Sequence, residues 1–269
     1  MNIAVIGCGK MGSALVHGWL AAEITAPANI RVLTATPASA QALHDHYGVA
    51  PATDIQNAIT SADVVVLAVK PFVMPTVIPD VADVLPSGTV VVSVAAGIPI
   101  STFEAAFGVD TPIVRAMPNT PAGIQKGATG IALNDAVPLE KRETIVELFN
   151  AVGITEVVPE SQMDAVNGLS GSGPGFAFTL IEAMIDGGVL AGLPRPIARR
   201  LAAQTMLGAA QLVLETNHHP GQLRDMVTTP AGTTMAGLDV LENRAVRAAI
   251  MDAVLAAKQR STELGEQYR

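Results

Sequence analysis

Six residues near the start of the chain, Gly7-Cys8-Gly9-Lys10-Met11-Gly12, fit the pattern G-x-G-x-x-G. They follow the β-rich run Asn2–Ile6 and open a helical pattern, the setting in which such glycines bind dinucleotides. Gly7 permits a tight turn, Gly9 lets backbone approach a pyrophosphate, and Gly12 lets the helix pack close to the strand. The helix start then offers unpaired N–H groups and a positive dipole end to phosphates. Ile6 to Gly12 are therefore expected to hold a dinucleotide. The end of the second strand decides which one. NAD sites place Asp or Glu there for the ribose 2′-OH, but Leu33-Thr34-Ala35-Thr36-Pro37-Ala38-Ser39 carries no acid. A carboxylate would repel a 2′-phosphate, whereas hydroxyls and the nearby Lys10 tolerate one. Ala35 and Thr36 thus point to NADPH, with NADH possible. Two more strand-end turns, Ala68-Val69-Lys70-Pro71 and Ala95-Ala96-Gly97, are expected along the same crevice, because ligands of open α/β sheets bind beyond the carboxyl ends of the strands.

Other reactive residue types read more plainly. Ser170 and Ser172 lack the second glycine of G-x-S-x-G and follow no strand, so they mark a helix break touching substrate or cofactor rather than a nucleophile. His218-His219 has no cysteine and few carboxylates nearby, and reads as a solvated turn; no metal site is expected. Cys8 is a small filler in the glycine turn. Lys70 follows a strand end, where it could serve as an acid or as a wall of the cofactor crevice. Asn119, within Pro118-Asn119-Thr120-Pro121, either pins its loop or points into the site.

These residues must be carried by an alternating framework. Strand-like runs at Asn2–Ile6, Ile30–Leu33, Asp63–Val69, Thr89–Val94, Ile113–Met117, Thr129–Leu133 and Ile154–Val158 are separated by helical patterns such as Lys10–Ala22 and Ala38–His46. Alternation of this kind means βαβ units and a doubly wound sheet. Ser101-x-x-Glu104 reads as a capping box, and Ser161-x-x-Asp164 as a helix cap. After Pro159 the strands stop. A glycine-serine break at 170–175 precedes helical patterns at Phe176–Ala191, Pro196–Thr216 and Gln222–Val227, then two more to the end. The division falls at residue 160: an α/β half, 1–160, with net charge −7, and a helical half, 161–269, with net charge −1.

Composition narrows the class further. Hydrophobic residues make up 49% of the chain and charged ones only 15%, which excludes disorder. A net charge of −8 and nine aromatic residues argue against a nucleic-acid surface. The apolar runs, such as Val64–Val69, fall far short of the ~20 residues of a spanning helix, so no membrane segment is expected. A first strand at Asn2 leaves no room for a leader, and a single cysteine gives no disulfide framework; a cytoplasmic protein is expected. The apolar excess exceeds what a monomer can hide, and predicts oligomerisation.

The order of several stretches resembles that of the pyrroline-5-carboxylate reductase family: Gly7–Gly12, Ala68–Pro71, Ala95–Gly97, Met117–Pro121, Gly168-Leu169-Ser170-Gly171-Ser172-Gly173-Pro174, His219-Pro220-Gly221 and Thr228-Thr229-Pro230-Ala231-Gly232-Thr233-Thr234. The first is shared with many dehydrogenases, but the Gly168–Pro174 run and the Pro230–Thr234 run in one chain are far more specific. The resemblance implies a Rossmann-type doubly wound sheet followed by an all-helical domain that interlocks with a partner's into a homodimer, and dimers that assemble further into a decamer. It also implies that the loop of Lys70 is a wall for the cofactor rather than the source of an acid. It implies reduction of 1-pyrroline-5-carboxylate to L-proline by hydride transfer to a cyclic imine. Carried over to this chain, Ala95–Gly97 border the nicotinamide, Thr229, Gly232, Thr233 and Thr234 hold the substrate carboxylate with Asn119 and Ser172 nearby, and Thr234 lies close to the ring nitrogen. Ala231 departs from the family's glycine, and a positive φ there would strain the loop.

The chemistry suits these residues. Backbone N–H groups and hydroxyls before a helix bind a carboxylate. A neutral hydroxyl is a poor general acid, so Thr234 is expected to position the imine while solvent protonates it. A rival reading is a β-hydroxyacid dehydrogenase, whose general base is a lysine on the first long helix of the second domain. Residues 161–217 contain no lysine, and Lys258 is the only one beyond 160. A non-catalytic NADP-binding sensor is the other rival, and it has no need of a carboxylate pocket.

Overall fold

A computed structural model describes residues 1–268. The first elements are β1 (Ile3–Ile6), α1 (Lys10–Ala21), β2 (Ile30–Leu33), α2 (Pro37–Tyr47), β3 (Ala50–Pro51), α3 (Ile55–Ile59), β4 (Val64–Leu67), α4 (Met74–Ala82), β5 (Val90–Ser93), α5 (Ile100–Phe107), β6 (Ile113–Met117), β7 (Gly127–Leu133), α6 (Leu139–Asn150) and β8 (Gly153–Val157). The eight strands form one sheet in the order β3-β2-β1-β4-β5-β6-β7-β8. Every pairing is parallel except β6 with β7. The segment between those two, 118–126, is too short for the crossover of a dozen or more residues that a parallel return needs, so the chain doubles back.

The uninterrupted apolar strands arise because both faces of the sheet are covered. Ile3, Val5, Val66, Val92 and Val114 pack on one face with Leu15, Trp19 and Phe149. Ala4, Ile6, Val65, Leu67 and Val91 pack on the other with Met74, Ile78 and Phe103. Trp19 is fully buried and donates its indole N–H to the Leu148 carbonyl at 2.8 Å, which ties α1 to α6. The approach is close enough that a Cβ on Gly18 would meet Val152 Cγ1 at 2.1 Å.

Beyond β8 come α7 (Met163–Val166), a π-helical turn over Asn167–Gly171, α8 (Gly173–Leu190), α9 (Arg195–Thr216), α10 (Pro220–Met226), α11 (Thr233–Asn243) and α12 (Val246–Gly265). Two compact units result: Met1–Ser172 with Leu255–Arg269, and Gly173–Val254. By compactness the chain thus divides after Ser172 rather than at 160, because 160–172 stays docked on the sheet. Arg115 of β6, only 7% exposed, reaches Glu160 and Asp164 at 3.4 Å each. Three local expectations change. Ser101 lies inside α5, whose first turn is capped from outside by Glu160 Oε1 accepting the Ile100 N–H at 2.7 Å. Ser161 caps nothing, and Asp164 instead accepts from Ser261 and Thr262. The expected break at 170–175 is a π-helical turn running almost directly into α8.

In the second unit, α8 packs on α9 where a Cβ on Gly188 would lie 3.1 Å from Ala198 Cβ. Ala198 and Ala202 are its buried hydrophobic residues, while Leu207, Leu214 and Val240 are each more than half exposed. No described helix is long and apolar enough to cross a membrane.

Candidate functional site

The sheet places its loops before any side chain matters. Ile6 pairs in register with both Leu33 and Leu67, so β1, β2 and β4 end level. Gly7, Thr34 and Ala68 therefore leave the sheet side by side, where the strand order changes direction, the usual crevice of an open α/β sheet. A cleft of about 450 Å³ opens there. Of the expected cofactor residues, Ile6, Gly7, Cys8, Gly9, Ala35, Ala68, Val69 and Lys70 line it. Lys10, Met11, Gly12, Thr36, Pro71, Ala95, Ala96 and Gly97 sit on the same turns or on neighbouring ones without lining it.

The three glycines divide their work as the pattern requires. Gly7 has φ +86°, and a Cβ on it would strike Val69 Cγ1 at 2.3 Å. Gly12 lies beneath, where a Cβ would sit 3.3 Å from both Cys8 Sγ and Val5 Cγ1. Gly9 meets nothing within 4 Å, so nothing in the protein fills the space above it. Directly after it α1 starts at Lys10 with no side chain capping it. An open backbone position before an uncapped helix start fits a pyrophosphate. Burial pushes the Cys8 thiol up to about 11, against a weaker opposing pull from Ser13, so it stays neutral beside this turn. That removes Cys8 as a nucleophile at neutral pH.

Thr36 corrects one detail. Its hydroxyl is the N-cap of α2, accepting from the Ser39 N–H at 3.3 Å and pairing with Ser39 Oγ at 2.9 Å. Thr34 and Ser39 line the cleft in its place. Both belong to the strand-end segment already noted, and an α2 N-cap signal could have separated them from Thr36. Ile55, Val73 and Val77 supply an apolar wall that no motif announced.

Asn119 resolves into a clamp. It is 8% exposed, donates to the Ser170 carbonyl at 2.9 Å and accepts from the Ala128 N–H at 3.0 Å. It thereby holds the π-helical turn against β7, and the Ser170 hydroxyl is itself bound to the Val166 carbonyl. Ser172 closes that turn through its N–H to the Asn167 carbonyl at 2.8 Å.

In the second unit, Thr229-Pro230-Ala231-Gly232 forms a tight turn, with the Gly232 N–H donated to the Thr229 carbonyl at 2.9 Å. Proline at its second position and a positive φ at its third is the pattern that favours glycine at the third. Ala231 occupies it with φ +55°, so the strain anticipated for a non-glycine residue is present. Gly232 is the N-cap of α11 without a side-chain cap, and a Cβ on it would meet Thr229 Oγ1 at 2.3 Å. Thr229, Thr233 and Thr234 are exposed around this helix start. Hydroxyls and helix-start N–H groups without a side-chain cap gather here, a combination whose physics suits an anion. His219, by contrast, caps α10: its Nδ1 accepts from the Gly221 N–H at 3.1 Å. Among the described residues no group of three or more His, Cys, Asp or Glu is placed to hold a metal.

Two family models match this chain. Residues 160–264 match one described as pyrroline-5-carboxylate reductase dimerisation, and residues 2–97 match one described as NADP oxidoreductase, coenzyme F420-dependent. The pyrroline-5-carboxylate reductase of Methanosarcina acetivorans is 46% identical over 98% of both chains, and that of Escherichia coli 40% over the same shares. Among solved structures, a pyrroline-5-carboxylate reductase from Coxiella burnetii superposes with a TM-score of 0.92 at 36% identity, covering 98% of each chain. The Plasmodium falciparum pyrroline carboxylate reductase, solved with NADP bound, gives 0.89 at 29% identity over the same 98% of each chain. With 36–46% identity to these reductases over 98% of its length, this chain belongs to the pyrroline-5-carboxylate reductase family.

Proposed function

We propose that the chain reduces 1-pyrroline-5-carboxylate to L-proline with NADPH as the reductant. The observation that carries this is identity of 40–46% over nearly the full length with reductases of that name. Bound in the cleft, the reduced nicotinamide supplies a hydride to the carbon of the cyclic C=N bond. The Gly7–Lys10 turn and the start of α1 hold the phosphates. Thr34, Ala35 and Ser39, with no acid at the end of β2, admit the 2′-phosphate and favour NADPH, with NADH a poorer donor. Ala68–Pro71 and Ala95–Gly97 wall the nicotinamide end.

Thr229, the Gly232 N–H, Thr233 and Thr234 hold the substrate carboxylate. The ring nitrogen gains its proton from solvent before hydride arrives, and Thr234 orients it. The balance is one hydride and one proton added across C=N, leaving a secondary amine and oxidised cofactor. Asn119 serves through the turn it clamps, which sets Ser172 toward substrate. Residues 1–160 act as the cofactor half and 161–269 as the substrate and dimerisation half. Dimers of this cytoplasmic enzyme assemble further into decamers.

The test is NADPH oxidation with pyrroline-5-carboxylate, with succinic semialdehyde-type aldehydes and with no substrate. Turnover is expected with the cyclic imine only; its absence overturns the reading. Thr234→Ala is expected to lower kcat by roughly 10–1,000-fold, the scale of a lost polar contact at a reacting centre. Unchanged kcat/KM removes Thr234 from the site.

A further inference from the structure

The last turn of α12 is built against the loop that follows β5. Ser261 and Gly265, four residues apart, are the buried residues of that helix and share one face. Ser261 donates to Asp164 Oδ1 at 2.8 Å and accepts from Asn167 Nδ2 at 2.9 Å, while Thr262 donates to Asp164 Oδ2 at 2.9 Å. Asp164 is in turn held by the buried Arg115. This anchoring delivers Gly265 onto Gly97. A Cβ on Gly265 would lie 2.7 Å from the Gly97 carbonyl oxygen, and one on Gly97 would lie 3.3 Å from the Gly265 nitrogen. Gly97 holds φ +82°, so its own conformation is demanding as well. One turn further on, Thr102 of α5 donates to the Tyr268 carbonyl at 2.7 Å. A cavity of about 310 Å³ is lined by Ile98, Thr102, Gln267 and Tyr268 together with residues of α4. The loop is thus held by Ala95 and Ile98 in the core and, at Gly97 between them, by the last turn of α12.

We infer that Gly265 is a positioning residue: the C-terminal end of α12 sets the Ala95–Gly97 loop at the height that seats the nicotinamide. This rests on the reading of that loop as the nicotinamide wall. The phosphate turn at Gly7–Lys10 has no part in the contact, so the two ends of the cofactor should respond separately.

The experiment compares wild type and Gly265→Ala in three measurements: turnover of the cyclic imine, the Kd of NADPH, and the Kd of 2′-phospho-ADP-ribose, which lacks the nicotinamide. Gly265→Ala is expected to lower kcat by roughly 10- to 100-fold, the scale of a displacement near 1 Å at a reacting centre. NADPH affinity should fall while that of the fragment stays within about twofold. Equal weakening of both ligands, or no change in either, overturns the inference. Thr102→Val adds no atom at Gly97 and covers the case in which Gly265→Ala fails to fold. It should shift the same NADPH-to-fragment ratio by about two- to fivefold, the value of one hydrogen bond, and an unchanged ratio there overturns the inference too. Wild type that binds NADPH but leaves the imine unreduced sinks the proposed reaction, and the affinity ratio still decides the role of Gly265.

Discussion

Cys8 shows how a residue type with reactive potential is silenced by its place. It is 7% exposed in the phosphate turn, and burial raises its pKa from 9.0 to about 11. The unfolded thiol therefore ionises first as pH rises. Stability tied to the neutral thiol is complete below pH 9 and is lost between pH 9 and about 11, by roughly 2–3 kcal/mol. Thermal unfolding of wild type and Cys8→Ala across that window should show a steeper decline in wild type; parallel curves would refute it. Ala231 carries the opposite lesson, since its type is innocuous and its backbone is not. At φ +55° a Cβ costs about 1–2 kcal/mol that glycine avoids, partly offset by glycine's greater freedom when unfolded. Ala231→Gly should therefore be neutral or stabilising by up to about 1 kcal/mol, whereas Ala231→Val should destabilise by a larger amount, because a β-branched side chain fits a positive φ worst. Matched melting curves at one protein concentration would decide.

Elements whose pattern is set by burial were legible from sequence, and elements set by a distant partner were not. The strands β1, β4 and β5 declare themselves because both faces are covered, and the glycine turn because its backbone needs are written in residue type. The capping readings at Ser101 and Ser161 failed because distant partners take over: Glu160, sixty residues away in sequence, holds the α5 start, and Ser261 and Thr262 hold Asp164. A local spacing rule cannot see such a partner. The reversed strand β7, and the apolar wall at Ile55, Val73 and Val77, depend likewise on how elements meet. At the end of β2 the legible part was an absence, and it can be tested by filling it. Ala35→Asp places a carboxylate where a 2′-phosphate would lie and where a ribose 2′-OH could be bound. The ratio of kcat/KM for NADPH over NADH should fall by roughly 10- to 1,000-fold, corresponding to a charge repulsion of about 1.4–4 kcal/mol. A ratio unchanged by the substitution would move the 2′-phosphate away from β2.

At the scale of the molecule, the low charge of the sequence has two destinations. The first unit hides its apolar residues between a sheet and its helices. The second does not: α8 has no buried residue, and Leu190 is 90% exposed. A helical array with so little core of its own cannot offset the conformational entropy of ordering its residues. The match of 160–264 to a model described as pyrroline-5-carboxylate reductase dimerisation supports oligomerisation, and we propose that a second copy of the same surface supplies what is missing. On α9 the point is specific. Ala198 and Ala202 face α8, while Leu207 and Leu214, one heptad apart, lie on the far side, 54% and 71% exposed. Burying two such leucines is worth about 1.5–3 kcal/mol each, and placing carboxylates there would forfeit that and add desolvation. Leu207→Glu with Leu214→Glu should therefore shift sedimentation from dimer or larger species toward monomer at micromolar concentration. Because folding of this half is linked to association, its melting temperature should also rise with protein concentration in wild type. A double variant that sediments like wild type would take Leu207 and Leu214 out of the interface. A wild-type melting temperature independent of concentration would show that the helical half holds itself together without its partner.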